Sequence, residues 1–286
     1  MRIGIVLHRQ KEPALELAGE LVDWMRARDV QPLMLSEEAE AIGRAELGEA
    51  GPLSDADVVV TLGGDGTLLR GARHVLGTSV PVFGINLGRL GFLAEVDKDE
   101  TWPAMEKVLA RQYRVQERSV LRCDVFAGER RVTRCLAVNE IVVGRGARNR
   151  LLNLPVEING DIFNHYYCDG LILSTPTGST AYSLSAGGPF VSPETNLFIL
   201  TPICPHSLLS RSLILAESDI VSIRLPGRLG VEAHTDGEEV RLPAEADRIE
   251  VSSAPERFYL ARVHEHSFFT VLRRKLAIWD SPGEER

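Results

Sequence analysis

The N-terminal part of the chain alternates short apolar runs with stretches of helical spacing. Residues 2–7 are rich in β-branched apolar side chains after Arg2, and apolar side chains then recur every three to four positions over 14–25, which predicts a strand and a helix. Residues 58–62 and 80–85 repeat the strand pattern, and 68–75 repeats the helical one. Because strands and helices alternate, we expect a parallel sheet with helices on both faces, a Rossmann-like α/β domain.

The pattern changes at Tyr113 to short strand-like stretches separated by Gly, Asn and Asp turn signals. One short helical patch, 181–186, interrupts them. This texture predicts a mostly β, sandwich-like domain over residues 113–257. Its predicted strands cover 121–126, 137–143, 154–158, 171–174, 197–201, 219–225, 230–235 and 248–252.

Two further helices belong to the first domain in this interpretation. Residues 101–112 have apolar side chains at helical spacing, and 268–278 form a last apolar helix that resembles the first domain more than the second. We therefore expect the C-terminal helix to pack in the first domain, which makes that domain discontinuous in sequence. The fold class is then α/β plus all-β, with residues 1–112 and about 258–286 in the α/β domain.

Composition and charge exclude several functional classes. Hydrophobic residues make up 44% of the chain and charged residues 25%, as in a folded enzyme, and the formal net charge of −8 argues against nucleic acid or an anionic membrane as partner. The first residues lack a long apolar core and no run approaches membrane-spanning length, so we expect a cytoplasmic protein. The four cysteines and seven histidines are scattered, which predicts reduced thiols and no transition-metal site.

The most informative stretch is Thr-Leu-Gly-Gly-Asp-Gly-Thr at residues 61–67, directly after an apolar run. Three glycines around one carboxylate leave bare backbone N–H groups and an acid at the carboxyl end of a buried strand. Such a place suits phosphates and a proton acceptor, and we expect Thr67 to cap the helix that follows. The alternative is a tight strand-to-helix turn, for which the glycines alone would be sufficient.

Further motifs follow in order along the chain: residues 86–92, the pair Asn139-Glu140, the run 169–189 with Ser-Thr-Pro-Thr-Gly-Ser-Thr-Ala-Tyr, Thr-Pro-Ile-Cys-Pro-His at 201–206 and Thr-Asp-Gly-Glu at 235–238. Together with the glycine motif they resemble the NAD kinase family over nearly the whole chain. That family transfers the γ-phosphate of ATP, or in some members polyphosphate, to the 2′-hydroxyl of the adenosine ribose of NAD, which gives NADP. The resemblance also implies Mg²⁺ with the donor and a homodimer or homotetramer.

The resemblance implies roles for individual residues. Asp65 would accept the proton of the ribose hydroxyl, and Gly66 would contribute backbone contacts. Asn139 and Glu140 would hold the adenosine or ribose of NAD; the alternative for this pair is a turn between hairpin strands. Asp169 would contact the nicotinamide end. The pocket would be lined by Thr177, Thr180, Ala181, Tyr182, Ser183, Leu184 and Ser185, with a flexible polar loop as the alternative.

Positive charge for phosphate groups is expected from Arg70 on the helix after the glycine motif and from Arg148 or Arg150. Arg150 is the better candidate of the two, because its distance from Glu140 matches a nucleotide-binding basic position in many relatives. The alternative for each arginine is a solvated surface side chain. Tyr167 stands where relatives often have a basic residue, which puts a phosphate contact there in doubt.

Two weaker candidates complete the predicted site. Asp236 would approach the nucleotide, but Asp-Gly is also a strong hairpin-turn signal, and Cys204 would line the pocket or simply be buried. Two other functions stay possible at this point. A lipid or sugar kinase could share the Gly-Gly-Asp-Gly loop, although the run 169–189 argues against it, and a regulator that senses NADP without turnover would be expected to lose Asp65.

Overall fold

The computed structural model describes residues 1–88, 91–94, 96–146, 151–207, 210–225, 230–264 and 267–280. The chain forms two compact units, which are Met1–Glu117 with Phe258–Arg286, and Arg118–Arg257. The first limit was predicted slightly earlier, at 112/113, where the hydrophobic pattern changes. Among the described residues, no helix is both long enough and apolar enough to cross a membrane.

The chain begins with alternating strands and helices. They are β1 (Arg2–Leu7), α1 (Glu12–Arg26), β2 (Gln31–Met34), α2 (Ser36–Ala41), β3 (Val58–Gly63), α3 (Asp65–Arg73), β4 (Val82–Asn86), β5 (Val96–Asp97) and α4 (Thr101–Leu109). The remaining elements are mostly strands. They are β6 (Arg114–Ala127), β7 (Arg130–Ala137), β8 (Glu140–Arg145), β9 (Leu152–Ile158), β10 (Asp161–Cys168), β11 (Gly170–Ser174), α5 (Tyr182–Ser185), β12 (Leu197–Ile203), β13 (Leu213–Ala216), β14 (Ile220–Arg224), β15 (Val231–Thr235), β16 (Glu238–Val240), β17 (Arg248–Arg262) and α6 (Phe268–Asp280).

The first unit is built on a parallel sheet. β1 pairs with β2 and β3, β3 pairs with β4, and β4 pairs with β5, all in parallel. The end of β17 adds to the other side of β4 with Leu260 opposite Val82. Every residue of β3 is buried, as expected for a strand that helices cover on both faces. The carboxyl ends of β1 and β3 therefore open at one edge of the sheet, where ligands bind in such folds.

The second unit is a sandwich of antiparallel strands. One sheet has the order β13-β12-β11-β8-β15-β16, and in the other β9 lies between β10 and β14, which pairs with β17. Apolar side chains from both sheets share one core that includes Leu154, Leu171, Leu200 and Val251. This packing of two inner faces is what defines a β-sandwich.

The predicted fold class is confirmed, including the return of the C-terminal helix, since the ring of Phe268 on α6 lies 6.4 Å from that of Phe92 in the same unit. Some element predictions were wrong. Residues 137–143 are not one strand, because the ladder breaks between β7 and β8, and the helix predicted over 101–112 ends at Leu109. The prediction missed β7, β10 and β16, whose sequences carry charged or polar residues on an exposed face, and it also missed β13, a short apolar strand.

Candidate active site

The glycine motif forms the junction between β3 and α3. Gly64 is the N-cap of α3, no side chain caps the helix, and Asp65 is its first residue. The prediction that Thr67 caps this helix is therefore wrong; Thr67 is instead a buried residue inside the first turn. An uncapped helix start leaves backbone N–H groups that can bind an anion.

The Asp65 carboxylate is fixed by three backbone amides from one segment. Oδ2 accepts a hydrogen bond from the Phe92 amide at 2.7 Å, and Oδ1 accepts from Leu93 at 3.0 Å and from Ala94 at 3.1 Å. A methyl group at Gly91 would overlap with the same carboxylate. Because an ionised carboxylate has about four acceptor positions, one on Oδ2 is left for a substrate hydroxyl. Asp65 therefore fixes the backbone of residues 92–94 and is itself oriented to accept a further hydrogen bond.

A cleft of about 510 Å³ lies where β1 and β3 end. The cleft is suited to binding an anion, because cationic side chains lie next to the N-terminus of α3. Nδ1 of His8 is buried there without a hydrogen-bond partner among the described residues. The lining residues are His8, Arg9, Gln10, Lys11, Gly64, Gly66, Thr67 and Arg70.

The cations of the cleft differ in how far they are already neutralised. Arg70 donates to the carbonyl of Leu7 and to the buried carboxylate of Glu38. Arg9 forms an ion pair with Glu37. The ammonium of Lys11, in contrast, has no ion pair or hydrogen bond within the described part of the chain, and it lies 3.3 Å from the position that a Cβ would take at Gly88. Lys11 is therefore the cation of the cleft that is most available to a ligand.

The partner of Arg70 titrates in the neutral range. Burial raises the pKa of Glu38 to about 7, although the Arg70 guanidinium acts in the opposite direction. The charge that Arg70 presents to the cleft consequently depends on the ionisation of Glu38. Arg70 was predicted from its place after the glycine motif, but no local pattern indicates its partner, which is 32 residues away in the chain.

In the second unit, the break between β7 and β8 is held by Asp236. Its carboxylate accepts hydrogen bonds from the amides of Val138 at 2.8 Å, Asn139 at 2.8 Å and Glu140 at 3.0 Å. Asp236 also lies in the turn between β15 and β16 with a positive φ of 47°, followed by Gly237 at 82°. The Asp-Gly turn signal was therefore right, and through this turn Asp236 positions Asn139 and Glu140.

Around Asn139 and Glu140 lies a group of buried polar atoms without partners among the described residues. They are Oδ1 of Asn139, Oε2 of Glu140, Oγ of Ser174 and Oγ1 of Thr177. A buried acceptor that makes no hydrogen bond costs about 1–3 kcal/mol, so such atoms collect where a ligand supplies the missing donors. The amide and carboxylate predicted to hold a nucleotide are thus buried and have free hydrogen-bonding capacity.

The ionisation of Glu140 reflects the same surroundings. The pKa of Glu140 is raised to about 7, mainly by burial and also by the charge of Asp236, while the Tyr182 amide that donates to it acts in the opposite direction. Because this pKa is higher in the folded than in the unfolded chain, the stabilisation that it brings is complete below about pH 4.5 and is lost as the pH rises through 7.

We therefore expect Glu140→Gln to flatten the pH dependence of stability. Between pH 4.5 and 7 the free energy of unfolding of the wild type should fall by on the order of 1–3 kcal/mol relative to the variant. Chemical denaturation at several pH values measures this difference. Glu239→Gln, at an exposed position on β16 of the same sheet, serves as the control and should follow the wild type. Parallel curves for Glu140→Gln and the wild type would contradict the expectation.

The remaining predicted residues differ in how they are placed. Asp169 lies between β10 and β11 and pairs with Arg145 at 3.1 Å. Tyr182 is 44% exposed, whereas Ser183 is buried with its hydroxyl 3.1 Å from that of Thr201. Ser183 therefore uses its hydroxyl inside the protein. Thr180 and Leu184 are half-buried, as is Ala181, and Ser185 is exposed.

Three further predictions concern single side chains. Cys204 is exposed and has a φ of 45°, so the alternative of a simply buried thiol is wrong. Arg148 and Arg150 lie outside the described residues. Lys11 and Arg145 were missed, and the signal that could have identified Lys11 is its place in the loop directly after β1, at the ligand-binding edge of a parallel sheet.

Comparison with known proteins gives matches along nearly the whole chain. A family model described as the ATP-NAD kinase N-terminal domain matches residues 3–113, and one described as the C-terminal domain matches 138–263. The NAD kinase of Moorella thermoacetica is 43% identical over 96% of this chain and 89% of its own. The crystal structure of yeast NADH kinase complexed with NADH superposes with a TM-score of 0.86 at 29% identity, covering 100% of this chain and 89% of that one.

A second solved structure extends the likeness of fold. An NAD kinase from Archaeoglobus fulgidus in complex with ATP has a TM-score of 0.74 at 24% identity and covers 97% of this chain and 99% of that one. Since both halves of the chain match kinases, this protein is a phosphotransferase that acts on a nucleotide. More narrowly, the chain belongs to the NAD kinase family. Its activity is the phosphorylation of NAD, as the motifs predicted.

Proposed function

We propose that the enzyme transfers the γ-phosphoryl group of ATP to the 2′-hydroxyl of the adenosine ribose of NAD, with NADP and ADP as products. The observation that carries this proposal is the Asp65 carboxylate, which three amides hold at the end of β3 with one acceptor position left. In the reaction the ribose oxygen forms a bond to the γ-phosphorus while its proton moves to Asp65. The bond from the γ-phosphorus to the bridging oxygen breaks, and ADP leaves.

The donor phosphates bind in the basic cleft of the first unit. Lys11 supplies an unpaired ammonium, and Gly66, with the other N–H groups at the start of α3, supplies uncharged donors. The positive charge of Arg70 is partly neutralised by its ion pair with Glu38, so Arg70 contributes less to phosphate binding. The family description of an ATP-NAD kinase supports ATP as the donor. Polyphosphate presents the same anionic oxygens, so the cleft chemistry also suits it.

The acceptor NAD is held in the second unit. Asn139 and Glu140 offer buried acceptors to the hydrogens of the adenine amino group or the ribose, and Asp236 keeps both in place. Asp169 contacts the nicotinamide end. The yeast relative complexed with NADH supports a dinucleotide here. The other residues we assign to NAD are Thr177, Thr180, Ala181, Tyr182, Ser183, Leu184, Ser185 and Cys204, with Arg150 for phosphate.

We further propose that magnesium arrives with ATP as part of the donor substrate. Across the described part of the chain, no three His, Cys, Asp or Glu side chains are grouped as a metal cage would require. Magnesium held mainly by nucleotide phosphates does not need such a cage. A homodimer or homotetramer in the cytoplasm stays a prediction, which sizing chromatography tests for the oligomer.

The proposed function is tested by incubating the purified protein with NAD, ATP and Mg²⁺ and measuring NADP with an NADP-specific dehydrogenase. We expect NADP with NAD as acceptor, and parallel reactions replace ATP with polyphosphate and NAD with NADH. Diacylglycerol and fructose 6-phosphate serve as control acceptors. Phosphorylation of either of these without NADP would contradict the proposal, as would tight binding of NADP without any turnover.

Lys11→Met should raise the KM for ATP by about 10-fold or more, since a hydrogen bond to a charged group is worth about 1.5–3 kcal/mol. The KM for NAD should stay within about twofold of the wild type. Arg9→Gln is the matched control from the same cleft, and because Glu37 already neutralises Arg9, we expect a smaller change. Initial rates over a range of ATP concentrations give both constants. Equal changes in the two variants would argue against Lys11 as a donor ligand.

A further inference from the structure

The segment of residues 92–94 is fixed from two sides within the first unit. Its amides donate to Asp65, as described above. Its carbonyl groups accept from Arg262 of β17, at 3.2 Å for Phe92 and 3.4 Å for Leu93. Because its N–H and C=O groups are both engaged, the Phe92 backbone is fixed next to the Asp65 carboxylate.

The C-terminal helix α6 brings a lysine to this ring. Nζ of Lys275 lies 4.5 Å from the centroid of Phe92, within the range of a cation–π contact, and Phe268 packs on the same ring. The Lys275 side chain is half-buried, and in the portion of the chain that the structure describes its ammonium makes no ion pair or hydrogen bond. A desolvated ammonium without an anion is costly, so this cation is placed where an anionic ligand would compensate it.

Lys275 and Asp65 interact electrostatically. Burial lowers the pKa of Lys275, and the negative charge of Asp65 raises it by a smaller amount. The two side chains are therefore close enough to interact but are not joined in an ion pair. The acid thus contacts the backbone amide of Phe92, and the ammonium lies over the ring of the same residue.

We propose that Lys275 is a further catalytic residue of phosphoryl transfer, whose ammonium contacts the phosphoryl group as it reaches the hydroxyl beside Asp65. The inference rests on the proposed function. Negative charge lies on the phosphoryl oxygens when the bond to the bridging oxygen breaks and the new bond to the acceptor oxygen forms. A preplaced cation stabilises that charge, while Asp65 receives the proton. A positive charge from α6 also gives the returning C-terminal helix a chemical role.

Three variants of α6 test this inference. Lys275→Met removes the charge with similar length, Lys275→Arg keeps a charge, and Arg274→Gln changes the exposed neighbour on the same helix. We expect Lys275→Met to lower kcat by about 10²- to 10³-fold, the range seen when a single stabilising donor is removed. Its dissociation constant for NAD, measured by calorimetry without donor, should stay within about threefold. Lys275→Arg should recover most of kcat, and Arg274→Gln should match the wild type.

The outcomes separate this inference from the proposed function. If the wild type forms NADP and Lys275→Met keeps its kcat, the role of Lys275 is overturned alone. It is also overturned if Lys275→Met loses thermal stability and NAD affinity together with kcat and Lys275→Arg does not restore them, since the lysine would then be structural. If the wild type forms no NADP from any donor, the proposed function is overturned and this inference with it.

Discussion

Asp65→Asn should lower kcat for NADP formation by about 10²- to 10⁴-fold, the usual contribution of a general base. The substitution removes the proton acceptor, and it also places an NH₂ group where a carboxylate oxygen now accepts from the amides of residues 92–94. At least one amide then loses its partner, which should lower the free energy of unfolding by about 1–3 kcal/mol. Steady-state kinetics and thermal unfolding measure the two effects.

A second variant separates catalysis from structure at Asp65. Gly91→Ala keeps the carboxylate, but its added methyl group would overlap with Asp65 and disturb the same hydrogen bonds. If Asp65 only holds residues 92–94, both variants should lose activity to a similar extent. If Asp65 is the base, Asp65→Asn should lose far more activity than Gly91→Ala at comparable loss of stability. A kcat for Asp65→Asn within about threefold of the wild type would exclude Asp65 as the proton acceptor.

The α/β part of the fold could be predicted because its signals are local. β1 after Arg2 and β3 are short, buried and almost entirely apolar strands, and the helix between β1 and β2 has a clear apolar stripe, so the hydrophobic pattern alone identifies them. The β sandwich was predicted as a class but not strand by strand. β10 reads Asp-Ile-Phe-Asn-His-Tyr-Tyr-Cys and has most side chains exposed, so its sequence has no strong alternation of buried positions.

Candidate site residues could be predicted where a local motif marks them. They could not be predicted where the role of a residue depends on a contact with a residue far away in the sequence. Asp65 stands out because it lies between glycines after a buried strand. Its three amide donors are 27–29 residues away, and the carboxylate that pairs with Arg70 is 32 residues away. Such contacts depend on how the sheet edge is assembled, which no local pattern encodes. For the same reason Asp236 was read as a ligand or a turn, although its carboxylate holds Asn139 and Glu140.

Gly178→Ala should raise the KM for NAD by about 5- to 150-fold. Gly178 lies against the backbone of Asn139, and a methyl group there would overlap with the Asn139 carbonyl. Backbone cannot swing away as a side chain would, and Asp236 and Thr175 hold the same segment through hydrogen bonds to its amides and carbonyl groups. Overpacking of this kind costs about 1–3 kcal/mol, and the displaced groups include the Asn139 and Glu140 acceptors assigned to NAD.

The matched control for this last prediction is Gly19→Ala in α1. Nothing lies within 4 Å of the added methyl group there, and alanine favours a helix over glycine by roughly 0.5–1 kcal/mol, so activity should be unchanged and stability equal or higher. Initial rates over a range of NAD concentrations, with ATP saturating, give the KM. Because the contact lies wholly in the second unit, the KM for ATP of Gly178→Ala should stay near the wild-type value. A wild-type KM for NAD in Gly178→Ala would mean that the position of Asn139 and Glu140 does not determine NAD binding.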